Sequence, residues 1–392
     1  MGDIVHVNGH CDAKFQGVRD VFEKHIASAE ENGASLAVNI EGQDVLSLYG
    51  GYADTARTKP WEENTIVNMF SCTKIVSALA LLKLVDQGKI SINDKVAKYW
   101  PEFAANGKEN IEIRHILSHS SGVAGWNTPL TMETLCDTEK RTAELAGQAP
   151  FWEPGTMSGY HCWNFGHLVG EVVRRVTGLS LKEFVAKELA EPTGADIQIG
   201  CKEADWDRAS EMIPPPALNV GPMPPDAMPV KILNPFPDAM FIHTPQWRRA
   251  EIGAANGHGN AKACSRLFSN VTLAGKGGKL LSKDTVDLIF QEQTCGVDAF
   301  SGLTIRWGVG MALRGDGQTS LDEWLPPGRV CLWGGWGGSL GIMDLDRGIT
   351  ISYLMNKMRL ETPVTPLAKD YIKEIYKSIG VECGNLAHSV PA

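Results

Sequence analysis

Apolar residues recur at helical spacing at Phe15, Val18, Val21, Phe22, Ile26 and Ala29, and Gly33 follows them. This pattern predicts a first amphipathic helix. The period then changes. Leu36-Ala-Val-Asn-Ile40 and Val45-Leu-Ser-Leu-Tyr49 flank Glu41-Gly42-Gln43, which predicts a hairpin over 34–49. From Ser71 to Gln87 the chain is strongly apolar and Gly88 closes the run, the pattern of a core helix with a glycine cap. Phe165, Leu168, Val169, Val172, Val173 and Val176 mark another helix, ended by Gly178. The next opens on the capping box Ser180-Leu-Lys-Glu183 and is expected to end before Pro192.

Between Ile213 and Pro245 periodicity fades and ten prolines appear, so this stretch reads as a long ordered loop or lid. Strand patterns return at 305–313, 330–333 and 338–344. Arg347-Gly348 then turns the chain into a strand over 349–355, and a last helix is expected over 366–378. Strands at both ends with helices between them give an α+β class: an antiparallel sheet built from both chain termini and flanked by helices, with an inserted, mainly helical lobe. The expected division is a discontinuous sheet lobe, 1–70 with 290–392, and a helical lobe, 71–289, that carries the lid at 213–245.

With 392 residues the chain can bury a large core. A net charge of −9 and no cationic block argue against nucleic acid and anionic membrane as partners. Met1-Gly-Asp-Ile-Val-His6 carries neither a basic nor an apolar leader segment, and 75–85 is too short to span a bilayer. Nine cysteines without a CxxC pair suit a reducing compartment, so a cytoplasmic location is expected. Oligomeric state is not legible.

Three segments carry candidate chemistry. Ser71-Cys-Thr-Lys74 sets a hydroxyl and an amine three residues apart, on one face of the helix start. Lysine serves as a base only if burial lowers its usual pKa of ~10.4 toward neutrality. Tyr160 follows Glu153-Pro-Gly-Thr-Met-Ser-Gly159, a loop that can present a phenol for proton relay. Trp333-Gly-Gly-Trp-Gly-Gly-Ser339 lies between two strands, where glycine lets a ligand approach the backbone. The N–H groups of Ser71 and Trp336 are the candidate oxyanion hole.

In this order the segments resemble the serine β-lactamase/penicillin-binding-protein superfamily. The likeness is to its class C-like branch, which includes the family VIII carboxylesterases and the fungal lovastatin-pathway acyltransferase. Met69-Phe-Ser-Cys-Thr-Lys-Ile75 is similar to the nucleophile motif, Ile113 to Val123 to the stretch before the helical lobe, Glu153 to Gly170 to the tyrosine segment, and Trp333-Gly-Gly335 to the esterase form of the third motif. The resemblance implies a β-lactamase/transpeptidase-like fold and catalysis by Ser71, Lys74 and Tyr160. It also implies substrate contacts from Trp333, Gly334, Gly335 and Cys162. No cofactor or metal is expected.

Two departures matter. The pattern Tyr-x-Asn is here Tyr160-His161-Cys162, and Lys-Thr-Gly is replaced by Trp333-Gly334-Gly335. Both changes favour neutral esters over lactams that bear a carboxylate. The expected function is therefore an esterase or acyltransferase acting through a Ser71 acyl-enzyme. Its substrate would be a small, fairly hydrophobic ester or acyl-thioester, carrier-bound donors included. The alternatives are a β-lactamase or D-amino-acid peptidase, and a non-catalytic scaffold on the same fold. Gly337-Gly-Ser-Leu-Gly341 satisfies GxSxG, but a strand pattern follows where that motif needs a helix, so Ser339 reads as structural. His115 and His119 read as structural or as support behind the site, and Gly257-His258-Gly259 as a loop before a helix.

Overall fold

A computed structural model describes residues 7–216, 223–361 and 364–384. Its centre is a nine-stranded sheet. β1 (Val7–Cys11), β2 (Gly33–Ile40) and β3 (Gln43–Gly51) come from the N-terminal part. β7 (Thr294–Val297), β8 (Thr304–Trp307), β9 (Ala312–Leu313), β10 (Val330–Gly334), β11 (Leu340–Asp344) and β12 (Ile349–Met355) come from the C-terminal part. The spatial order is β1-β3-β2-β12-β11-β10-β9-β8-β7, and every pairing is antiparallel. β2 and β12 form the seam between the two ends of the chain, with Ile351 opposite Val38. A smaller sheet joins β4 (Val67–Asn68), β5 (Gln198–Ile199) and β6 (Gly257–Gly259) in the order β4-β6-β5.

All seven residues of β12 are buried, because helices cover both sides of the sheet. α1 (Gln16–Ala27) and the C-terminal helix Pro366–Ser378 pack together on one side. The helix Ala261–Thr272 and α2 (Thr73–Asp86) lie on the other. Gly341 permits this approach: a Cβ there would meet Phe268 at 2.8 Å and Ile75 at 2.9 Å. α2 has buried residues on every side, as a helix apolar all round must. It is preceded by a 3-10 turn, Phe70–Cys72, which carries Ser71.

The structure corrects four sequence expectations. The run 305–313 is two strands, β8 and β9, because the chain turns at Gly308–Met311; a Cβ on Gly310 (φ 90°) would press on Ala78 of α2 at 2.8 Å. The helix expected to stop before Pro192 passes through a π turn at Val185–Ala190 and runs on to Thr193. Proline is tolerated at the start of this last turn, and Gly194 (φ 63°) ends it. Gly257-His258-Gly259 is a strand, with His258 opposite Asn68 and Gln198. The proline-rich stretch holds short helical turns at Met228–Ile232 and Phe241–His243. Leu218 and Val220 lie outside the described residues. The short strands β1 and β7 were not anticipated.

Candidate active site

Lys74 is 1% exposed, and its Nζ meets three oxygens: Ser71 Oγ at 3.2 Å, the Cys162 carbonyl at 2.8 Å and the Ala254 carbonyl at 2.9 Å. Burial pushes its pKa down to about 7, with no carboxylate among the causes to oppose the fall. A neutral amine has two N–H donors and one lone pair. The two carbonyls use the donors, so the lone pair is left for the Ser71 hydroxyl. Lys74 Nζ also stands over the Tyr160 ring, 4.6 Å from its centre.

Trp333 Nε1 donates to Tyr160 Oη at 2.8 Å. An indole nitrogen only donates, so the phenol oxygen accepts there, and Ser71 hydrogen-bonds the same hydroxyl. Burial raises the Tyr160 pKa well above the tyrosine value, so the group is a phenol and not a phenolate. Trp333, Tyr160, Ser71 and Lys74 are thus joined in one hydrogen-bonded chain. Behind the phenol, the His119 ring lies 4.8 Å from Tyr160 and 4.4 Å from Trp307. Burial lowers the pKa of His119 well below its usual value and that of His161 to about 4, so this wall is uncharged near neutrality.

Phe70 holds φ 45°, a left-handed conformation that costs of order 1 kcal/mol in a non-glycine residue and aims Ser71 out of the 3-10 turn. The turn joining β10 to β11 is tied back to the same place. Ser339 Oγ donates to the Met69 carbonyl at 2.8 Å, and Gly335 N–H donates to the Ser339 carbonyl at 2.7 Å. Ser339 therefore staples the two segments together and is 2% exposed. The staple brings Trp336 beside the turn that carries Ser71, its ring 5.2 Å from that of Phe70 in a T-shaped contact. Neither Ser71 N–H nor Trp336 N–H donates to another described residue.

Ser71, Tyr160, Cys162, Trp333, Gly334, Gly335 and Trp336 all border one cavity of about 380 Å³. Its remaining walls include Trp163, Leu233, Phe300, Leu321, Leu332 and Val364, and no lining residue is charged. None of the lid residues Met223, Met228, Ile232, Phe236, Met240 and Phe241 borders the cavity; Leu233 and Pro237 of the same stretch do. Cys72 is not a rival nucleophile, because burial pushes its thiol up to about 12. Cys162 is likewise held as a thiol, and its carbonyl rather than its sulfur touches Lys74. Sequence reasoning missed the Ala254 carbonyl and the Phe300 to Leu321 wall. A backbone acceptor has no residue signature, and these apolar positions resemble any other core.

A second hollow, of about 690 Å³, opens between Asn8, Tyr49, Glu63, Asp196, Lys262 and Arg266, and none of the residues above borders it. Among the described residues no cluster of three or more His, Cys, Asp or Glu side chains could hold a metal ion, and no helix is long and apolar enough to cross a membrane.

Residues 18–373 match the model of the family described as Beta-lactamase. The chain belongs to the beta-lactamase family. Within it, the chain is 29% identical over 367 residues to Esterase/beta-lactamase LipL of Mycobacterium tuberculosis, with 90% of this chain and 83% of that protein covered. A solved family VIII carboxylesterase superposes with a TM-score of 0.88 at 34% identity, covering 95% of this chain and all of that one. A penicillin-binding-protein homologue from Caulobacter crescentus gives 0.86 at 32% identity, with the same coverage. Simvastatin synthase from Aspergillus terreus shares the fold at 15% identity and a TM-score of 0.69. The protein is a serine hydrolase of the beta-lactamase family.

Proposed function

We propose that the chain is an esterase that works through an acyl-enzyme on Ser71 and takes neutral, apolar esters. Lys74 accepts the Ser71 proton as Oγ attacks the acyl carbonyl. The N–H groups of Ser71 and Trp336 hold the oxyanion, each worth about 3 kcal/mol in sites of this kind. Tyr160 gives its proton to the departing alkoxide and is refilled from Lys74. Water then enters and the same groups act in reverse.

The observation that carries this reading is the cavity itself: it ends on the Ser71, Lys74 and Tyr160 contacts and has no charged wall. A carboxylate-bearing lactam entering it would lose water without meeting a cation, because Trp333 stands where the lactamase pattern has lysine. The names of the carboxylesterase and of LipL support the same reading. A second reading, acyl transfer, is favoured by those apolar walls, against which a bulky alcohol competes with water as acceptor. Acyl-thioesters, carrier-bound ones included, belong with that reading.

The test is a kinetic panel of neutral nitrophenyl esters and penicillin-type lactams, run with and without an alcohol, with mass detection of the acyl adduct. We expect the adduct on Ser71, faster turnover of neutral esters, and on the order of 10³-fold or greater loss in Ser71→Ala and Lys74→Ala. Faster turnover of the lactams would refute the ester reading, and an adduct elsewhere would refute the assignment of Ser71.

A further inference from the structure

Among the described residues six large hydrophobic side chains are exposed: Met157, Met223, Phe236, Met240, Val297 and Leu360. Five of them form a collar beside the catalytic cavity: each borders it or lies within three residues, along the chain, of one that does. Leu360 borders it. Phe236 and Met240, 59% and 53% exposed, flank Pro237, which lines it. Val297, 64% exposed, leads into Phe300 on the opposite wall, and Met157 leads into Tyr160. The Ser158 carbonyl accepts from Ala299 N–H at 2.9 Å, which fastens the Met157 loop beside the Val297 tip. Scattered single hydrophobics are ordinary on a protein surface, but a set gathered around one opening marks an interaction site.

Charge narrows the occupant. The chain carries −9 overall, and the exposed acids Asp238 and Glu361 stand within the collar. Arg359, beside Leu360, is paired with Glu30. An anionic membrane and an acidic carrier protein would both be repelled. Through Leu360 and Pro237 the collar adjoins a cavity that has no charged wall, which suits an uncharged, apolar substrate.

We propose that this collar docks the enzyme on an uncharged ester–water interface, the surface of a dispersed neutral lipid. The proposal rests on the ester reading above. The collar lowers the cost of bringing an apolar ester from its own phase into the cavity, since the substrate need not pass through water.

The test measures flotation of the full chain with a trioleoylglycerol emulsion and with anionic phosphatidylglycerol vesicles, alongside sedimentation velocity without lipid. We expect partition onto the emulsion and none onto the vesicles. Phe236→Ser with Met240→Ser on one side, and Val297→Ser on the other, should each weaken partition about fivefold. Turnover of dissolved nitrophenyl acetate should stay within about twofold of the parent. Absent partition, equal partition of parent and variants, or stronger binding to phosphatidylglycerol would each overturn the proposal. So would a dimer that these substitutions disperse, which would assign the collar to a second copy of the chain. Flotation is read without turnover. A protein that floats but leaves nitrophenyl acetate intact would sink the ester reading alone.

Discussion

The pKa of Lys74 is lowered from 10.5 to about 7, so the amine is protonated below that value and free to accept above it. Activity should therefore rise with pH through about 7. It should then stay level to pH 10, because the Tyr160 phenol is held well above its ordinary range and does not ionise within that span. A pH profile of kcat/KM on a neutral nitrophenyl ester checks both limbs, and a fall before pH 10 would overturn the raised pKa of the Tyr160 phenol. Trp333→Phe keeps most of the ring but deletes the donor to Tyr160. Losing one such hydrogen bond should lower the plateau about tenfold while leaving the rising limb near pH 7. A displaced rising limb would mean that the indole acts on Lys74 rather than on Tyr160.

At the scale of elements, the site is a meeting of three segments. The 3-10 turn before α2 offers Ser71, the loop before helix Phe165–Thr177 offers Tyr160, and the β10–β11 turn offers Trp333 and Trp336. The last of these has little room. Gly337 holds φ 95°, and a Cβ there would lie 2.7 Å from Met358 Cγ, while the Gly337 carbonyl accepts from Arg359 N–H at 3.0 Å. Gly337→Ala should twist the turn and move the Trp336 N–H, lowering kcat about tenfold or more with a smaller change in KM. Equal loss in both parameters would show that the turn only shapes binding. The limits of sequence reading appear at this scale too. Hairpin β2–β3 and the glycine-ended helices were legible because turn and cap chemistry is local. The split of 305–313 into β8 and β9 was not, because the turn between them fits closely against Ala78 of α2, far away along the chain.

The whole molecule is closed by a buried polar knot between its two ends. Glu31 is 2% exposed and accepts from Tyr353 and, at 3.4 Å, from Tyr371, while His25 Nδ1 stands 3.0 Å from the same Tyr371 hydroxyl. Arg359 and Lys357 lie close enough to oppose the effect of burial on the Glu31 carboxyl. They do so only in part, and its pKa rises from 4.5 to about 7. The folded state thus binds more protons than the unfolded chain between these values, so stability falls as pH rises across that window. A rise of this size corresponds to about 3 kcal/mol lost by pH 8. Glu31→Gln keeps an acceptor for Tyr353 and carries no charge, so it should raise Tm at pH 8 and change little at pH 4. Melting curves at the two values decide this, and equal Tm at pH 8 would show that water reaches the carboxylate.

The sequence by itself determined the class of fold, the positions of most helices and strands, and the residues that the cavity gathers: Ser71, Lys74, Tyr160, Trp333 and Trp336. It could do so because periodicity, caps and reactive side chains are properties of short segments. Only the tertiary structure decided how Lys74 is used. Its depressed pKa comes from complete burial, and the aim of its lone pair comes from the carbonyls of Cys162 and Ala254, which have no signature in residue type. The hydrogen bond that Tyr160 accepts from the Trp333 indole, 173 residues away, is likewise a fact of packing. Burial and hydrogen-bond partnership depend on which distant segments meet, and that is settled only when the chain has closed on itself.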